Sequence, residues 1–532
     1  VINLKIFDKV VEAVSPSAAL KREMDRYKLE SIRSLNFKNS GYDESGASRK
    51  KNSMKGWNAN SKSPQEDIDI NLPLLRTRSR SLIMSAPLAK SAIRKNVVNV
   101  VGSGLRPKPA IDFERLKLTP EYADEWKKKT EAEFSIWAES KHCDVTKLHD
   151  FYDLEQIALV SALSNGDACG LIEYDRVTGY MPYGLRIHMI ESDRVCTPQQ
   201  NGSTVNLLAK AENNNRIYNG VEIDSKGAVI AYHICNTYPT SNNLNVKKEW
   251  KRVKAFGDKT GNPNLLMIFE AERADQYRGV PYLAPVIESL KQLTRYSEAE
   301  LMAAVINGFF TVFIKTDGNK GEMTFGGIED DSDKTVTSPN DYGLGPGMIN
   351  VLAEGESIEI ADSKRPSQNF DAFVTSMAKF IGAALDIPVE LLTLSFLSSY
   401  SASRAALLEA WKAFKMKRTW LIKDFCQPVY EMWLTEAVAS GRIKAPGYFL
   451  DPSIKKAWCQ CEWNGPSAGM IDPVKEVKAA GERIALGIST REKEAMEMNG
   501  TDFDRNVAQL RKENKQMDEV NVKKESEVKQ IE

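Results

Sequence analysis

The stretch PVIESLKQLTRYSEAELMAAVIN (285–307) decides the fold, together with its later counterpart NFDAFVTSMAKFIGAAL (369–385). In the first, Pro285 stands where proline suits a helix start. Val286, Ile287, Leu290, Leu293, Leu301, Met302, Val305 and Ile306 then recur at helical spacing. That predicts a rod about 33 Å long, at a rise of about 1.5 Å per residue. In the second, Phe370, Phe373, Val374, Met377, Phe380, Ile381, Ala384 and Leu385 share one stripe, and Asp371, Thr375 and Lys379 form a polar one opposite. Ile387-Pro388 ends this helix, because proline drives the residue before it out of helical backbone. Between the two lie a strand-like FFTVFIK (309–315) and a Gly-rich stretch from Thr316 to Ser363. That stretch holds eleven acids against Lys320 and Lys334, a net of −9.

Reading outward, IPVELLTLSFLSSYSA (387–402) is a loop whose tip carries the neutral hydrogen-bonding residues Ser398, Ser399 and Tyr400. An ordinary helix connection capped by Ser401 or Ser403 is the plainer reading of the same residues. A long helix from about Ser403 to Ala439 follows, with a kink expected near Pro428. Upstream, one helical pattern covers 71–101, with Arg76, Arg78, Arg80, Lys90, Arg94 and Lys95 and no acid, and Gly102 and Gly104 end it. Such a set could contact a polyanion, but a solvated or subunit-bridging face is the commoner use. Helices are predicted at about 119–140, with Trp126, Phe134 and Trp137 on one side, and at 151–164. Alternating runs at 166–175, 185–195, 220–234 and 264–270 read as strands, with a hairpin at Asp224–Gly227. The class is α+β. Residues 33–68, rich in Ser, Asn, Gly and Lys, read as an extended arm. A helix at 473–486 and a charged helical tail from about 504 close the chain.

At 532 residues the chain needs two to four structural units. Its 72 bases and 72 acids cancel, so any polyanion contact must come from local charge. Seven irregularly spaced cysteines suggest free thiols rather than a disulfide framework. No apolar run approaches the roughly 18–20 residues of a membrane span, and the charges in 1–19 do not suit a signal peptide. GxxxxGK[ST], GxSxG and HExxH are missing. His142-Cys143 and Cys459-x-Cys461 lack a second ligand pair at zinc spacing, so no metal and no cofactor is expected.

Seven blocks, in one order, resemble the portal proteins of lambda-like tailed phages and prophages. They are RTRSRSLIMSAPLAKSAIRKNVVNVVGSGLRPKP (76–109), SNGDA (164–168), IESDRV (190–195), YRGVPYLAPVIESLKQLTRYSEAELMAA (277–304) and GPGMINVLAEGESIE (345–359). SYSASRAALLEAWKAF (399–414), continued by VYEMWLTEAVASGRI (429–443), and GMIDPVKEVKAAGERIALGISTRE (469–492) complete the set. The resemblance implies a ring of identical subunits, usually twelve, at one capsid vertex of the virion, assembled in the host cytoplasm. It also implies a portal fold: an N-terminal arm (1–70), a wing (71–280), stem helices (281–308 and 364–387), a clip (309–363), a tunnel loop (388–402), a long wing helix (403–445) and a C-terminal wing or crown (446–532).

Double-stranded DNA, bound without sequence preference, would pass through the channel, driven in by the terminase large subunit. Head–tail adaptor, major capsid and scaffold proteins would be the other partners, with no membrane. The tunnel loop would bring Ser398, Ser399 and Tyr400 to the DNA, and the polar stripe Asp371, Thr375 and Lys379 is assigned to the lumen. Twelve helices at 8–10 Å spacing leave a bore of roughly 24 Å, enough for a duplex of about 20 Å. The acidic clip would repel sliding DNA and, through Glu329, Asp330, Asp331 and Asp333, dock basic surfaces of terminase or adaptor; a solvated acidic loop is the alternative. The rival classes are another structural virion component and a DNA-processing packaging enzyme. The latter would need a phosphate loop or a metal-binding acidic cluster.

Overall fold

Pro87 splits the helical pattern of 71–101 into α1 (Leu72–Ser85) and α2 (Pro87–Val100). Ala86, forced to extended backbone by the proline after it, forms the hinge (φ −104°, ψ 117°), and Pro87 starts the new helix. The computed structural model describes residues 60–198, 206–241, 246–308, 312–316, 356–360, 370–396, 399–469 and 472–528, with scattered positions between 17 and 57. It divides at Lys62 into two units. In the first, the described positions between 17 and 29 are helical and Asn52–Met54 form a short turn; everything below concerns the second, from Ser63 onward. That unit reaches into the expected arm, for a π-turn at Gln65–Asp69 buries Ile68 and Asp69.

After β1 (Arg106–Pro109) come α3 (Pro120–Ala138), capped by the Thr119 side chain, and α4 (Phe151–Asn165), capped by Asp150. Gly166, at φ +94°, turns α4 directly into β2 (Asp167–Tyr174). β3 (Leu185–Ile190) follows, then the short strands β4 (Arg216–Tyr218) and β5 (Val221–Ile223), the longer β6 (Val229–Cys235) and β7 (Trp250–Lys254), and finally β8 (Leu265–Phe269). The expected hairpin at Asp224–Gly227 joins β5 to β6. Two antiparallel sheets result, β3-β2-β8 and β4-β5-β6-β7. A small core containing Leu171, Val221, Tyr232 and Ile234 lies between them.

The helical pair is α5 (Ile287–Gly308) and α6 (Phe370–Ala384). The insertion between them is closed at its base by β9 (Val312–Thr316) and β10 (Glu356–Ile360), antiparallel, with Val312 opposite Ile360 and Thr316 opposite Glu356. A short α7 (Val389–Thr393) precedes α8 (Tyr400–Leu421), a five-residue π-turn (Ile422–Cys426) and α9 (Gln427–Ala439). The π-turn is where the expected kink falls. Pro428 offers no N–H to the carbonyl four residues back, and its ring crowds that group, so the helix widens just before it.

The C-terminal part holds α10 (Pro452–Trp458), β11 (Cys461–Asn464), which pairs with β1, and α11 (Pro473–Ala485). α12 (Arg491–Asn499) and α13 (Phe503–Val528) end it. The main core centres on Phe134, whose ring meets Trp433 edge-on at 4.9 Å and also touches Trp137, Phe151 and Tyr430. Thus α3, α4 and α9 share one aromatic cluster. Among the described residues no helix is long and apolar enough to cross a membrane.

Candidate functional site

Helices α5 and α6 pack through Tyr296, which stacks on Phe370 at 5.5 Å and meets Phe373 at 4.8 Å. Their inner ends are anchored: Leu290, Ala378, Ile381 and Leu385 are buried. The Tyr282 hydroxyl donates to the Leu385 carbonyl, tying the approach to α5 to the end of α6. Lys417 of α8 lies beside this junction, its amine 4.6 Å from the centre of the Tyr282 ring, and burial lowers its pKa. Between α5, α6, α7 and the Ala86–Leu88 hinge runs a groove of about 780 Å³. Asp371, Thr375 and Lys379 are brought together there and line it, alongside Leu290, Leu293 and Val374. The polar stripe therefore borders a space shared with α5 rather than an open helix face.

The connection after α6 is more ordered than a plain loop. The chain hooks back through Asp386 at φ +52°, and Ile387 donates its N–H to the Gly382 carbonyl at 2.9 Å. A Cβ on Gly382 would stand 2.4 Å from the Ile387 carbonyl oxygen, so only glycine allows this approach. α7 then ends on Leu394 in left-handed backbone (φ +56°), leaving Leu394 and Phe396 exposed. Ser399 caps α8, its hydroxyl accepting from Ala402 N–H at 3.4 Å. The cap is thus two residues ahead of the nearer expected position, Ser401, and Tyr400 opens the helix instead of the loop tip. Ser398 and the acidic set Glu329, Asp330, Asp331 and Asp333 lie outside the described residues.

Sequence spacing gave no warning of the buried ionic centre at Asp167. This carboxylate, fully buried, accepts from Arg278 Nε at 2.7 Å and from Arg76 Nη2 at 2.9 Å. Arg278 spends its remaining donors on the carbonyls of Val195, Asn219 and Ser192, so every direction of the guanidinium fork is used. Burial alone would raise the Asp167 carboxyl, but Arg278 and Arg76 outweigh it and hold it below the usual range. Gly166 and Gly279 make the approach possible, since a Cβ on Gly279 would stand 1.8 Å from the Gly166 carbonyl oxygen. Arg76, read as a candidate polyanion contact, is instead a core residue. The centre joins α1, β2 and the segment leading to α5, so it orients the base of the helical pair.

A second buried carboxylate is structural by the same test. Glu222 accepts from Arg252, Asn213 and Asn215 and pairs with His233, and these bonds, Arg252 first, hold its carboxyl down at about 2. Among the described residues no group of three or more His, Cys, Asp or Glu could hold a metal.

Residues 50–418 match the family described as phage portal protein, lambda family. The chain is similar to the portal protein of Escherichia phage N15 and to portal protein B of Escherichia phage lambda, each 23% identical over 475 residues, covering 86% of this chain and 86% of the relative. It is also similar to a probable portal protein of Halomonas phage phiHAP-1, 25% identical over 413 residues, covering 76% and 73%. Among solved structures, a chain from the neck of a native gene transfer agent particle, computed with C12 symmetry, aligns at 12% identity with a TM-score of 0.40. That alignment covers 78% of this chain and 92% of the other.

Proposed function

The chain belongs to the lambda family of phage portal proteins, and from that premise we propose that it is the head–tail connector subunit at one vertex of a tailed-phage capsid. Copies, twelve of them, close into a ring around a channel that admits double-stranded DNA during packaging and releases it at ejection. The observation that carries this reading is the helical pair. Two helices anchored in one mixed body bracket an insertion whose ends are zipped by β9 and β10. An insertion carried between two anchored helices is a natural docking place for a motor or tail component.

On this assignment residues 71–280 and 403–445 form the wing, α5 and α6 the stem, 309–363 the clip, and 446–532 the outer wing or crown. The connection 388–402 faces the DNA. The terminase large subunit and the head–tail adaptors dock on the clip, and major capsid and scaffold proteins surround the wing. The ring is a structural part of the virion and a passive conduit, with the work of packaging done by the motor. Negative-stain images of the purified chain should show closed rings with a central hole wide enough for a duplex. A chain that stays monomeric under all assembly conditions would sink the proposal.

A further inference from the structure

The groove beside α5 and α6 has a counterpart on the opposite side of α6. There Phe380 is 73% exposed, and beside it Phe373, though packed edge-on against Tyr296 of the same chain, is still 45% exposed, so the two form an aromatic ridge. At about 100° per residue, Phe380 lies roughly 180° around the helix from Asp371, which lines the groove. The groove floor is apolar (Leu290, Leu293 and Val374), while its polar lining includes Glu298, Asp371 and Glu390 against Lys379. Exposed Glu288, Lys291 and Arg295 of α5 lie about 100–160° from Leu290 and Leu293, on the ridge side, with a net charge of +1. One side of the pair is therefore concave, apolar and net acidic; the other is aromatic and, with Lys291 and Arg295 against Glu288, net basic.

A knob and a hole on opposite sides of one element do not satisfy each other in a two-fold dimer, where like surfaces meet. They pair head to tail, and repetition of that contact closes a ring when the rotation allows it. We propose that the Phe373–Phe380 ridge of one copy seats in the α5–α6 groove of the next, with Arg295 facing the groove acids. This contact rests on the portal reading and refines it. Asp371, Thr375 and Lys379 become subunit-contact residues, and the lumen is lined by other positions.

The test uses two full-length chains, Phe380→Cys and Leu301→Cys, the latter at the exposed mouth of the groove. They are co-expressed, assembled, oxidised, and run on a non-reducing gel. A disulfide-linked dimer is expected from the mixture and from neither chain alone, and a chain carrying both substitutions should give a ladder of linked copies. A third chain, Phe380→Asp, should keep the parental circular dichroism and lose ring formation at least tenfold. Rings that form in the images without any 301–380 link, or a Phe380→Asp chain that assembles as the parent does, would overturn the groove contact and leave the portal reading standing. Failure of the parent chain to form rings at all would overturn the portal reading itself.

Discussion

Asp167 lies between two guanidinium groups with no water-exposed surface, and the energetics of such a site are lopsided. The intact cluster contributes little net stability, because desolvating the ions offsets their attraction. Removing one partner is another matter. Asp167→Ala leaves Arg76 and Arg278 buried without their shared carboxylate, and urea unfolding should show a loss of about 3–5 kcal/mol; a loss under 1 kcal/mol would mean the arginines find other partners. The neighbouring Asp69 behaves in the opposite sense. Burial pushes its carboxyl up to about 6 from the usual 3.8, against the pull of Arg278 and Arg76. The folded state then holds that proton more tightly than the unfolded state does, so Asp69 costs stability as pH rises from about 4 to about 6, up to about 3 kcal/mol in all. Asp69→Asn should be more stable than the parent at pH 8 and no more stable at pH 4. An equal difference at both pH values would refute the assignment.

At the scale of elements, capping and backbone exceptions decide where helices begin and end. Ser399 is nominated by two roles, a DNA-facing hydroxyl and the N-cap of α8. They separate experimentally. As a cap, Ser399→Ala should destabilise by about 1 kcal/mol and speed amide exchange in the first turn of α8. As a DNA contact alone it would slow genome transit with no change in that exchange. The hinge at Ala86–Pro87 and the π-turn before Pro428 follow one rule: proline withholds a donor and crowds the turn behind it, and the chain answers by breaking or widening the helix. Helical periodicity identified both segments, but it carries no information on which answer the packing allows. α8 begins at Tyr400, ahead of the expected Ser403, because apolar spacing locates a helix body more sharply than its cap.

For the whole molecule, what matters is a balanced total charge that hides a local imbalance. The acidic excess in 316–363 is set in the insertion between α5 and α6, and a ring multiplies it by the number of copies. Replacing Glu329, Asp330, Asp331 and Asp333 together by Gln and Asn should weaken terminase binding at least tenfold at low salt, with a smaller difference at high salt, where screening has already reduced the attraction. Unchanged binding and unchanged packaging would reduce the segment to a solvated loop. The ring also bears on Phe380, 73% exposed on the single chain, which the proposed contact with a neighbour would cover.

Although β1, β4, β7, β11 and the short helices α7, α10 and α12 escaped it, the amino-acid sequence by itself determined the long helices, the strands β2, β3, β5, β6 and β8, the helical pair with its acidic insertion, the hairpin at Asp224–Gly227, and the family. These depend on periodicity, on turn chemistry and on ordered blocks, all of which are local along the chain. Tertiary structure alone decided that Arg76 belongs to the core and that Asp371, Thr375 and Lys379 share a groove with α5. The physical reason is distance along the chain. Nothing near Arg76 signals a carboxylate 91 residues away, and a helix stripe shows its polarity without showing what stands across from it.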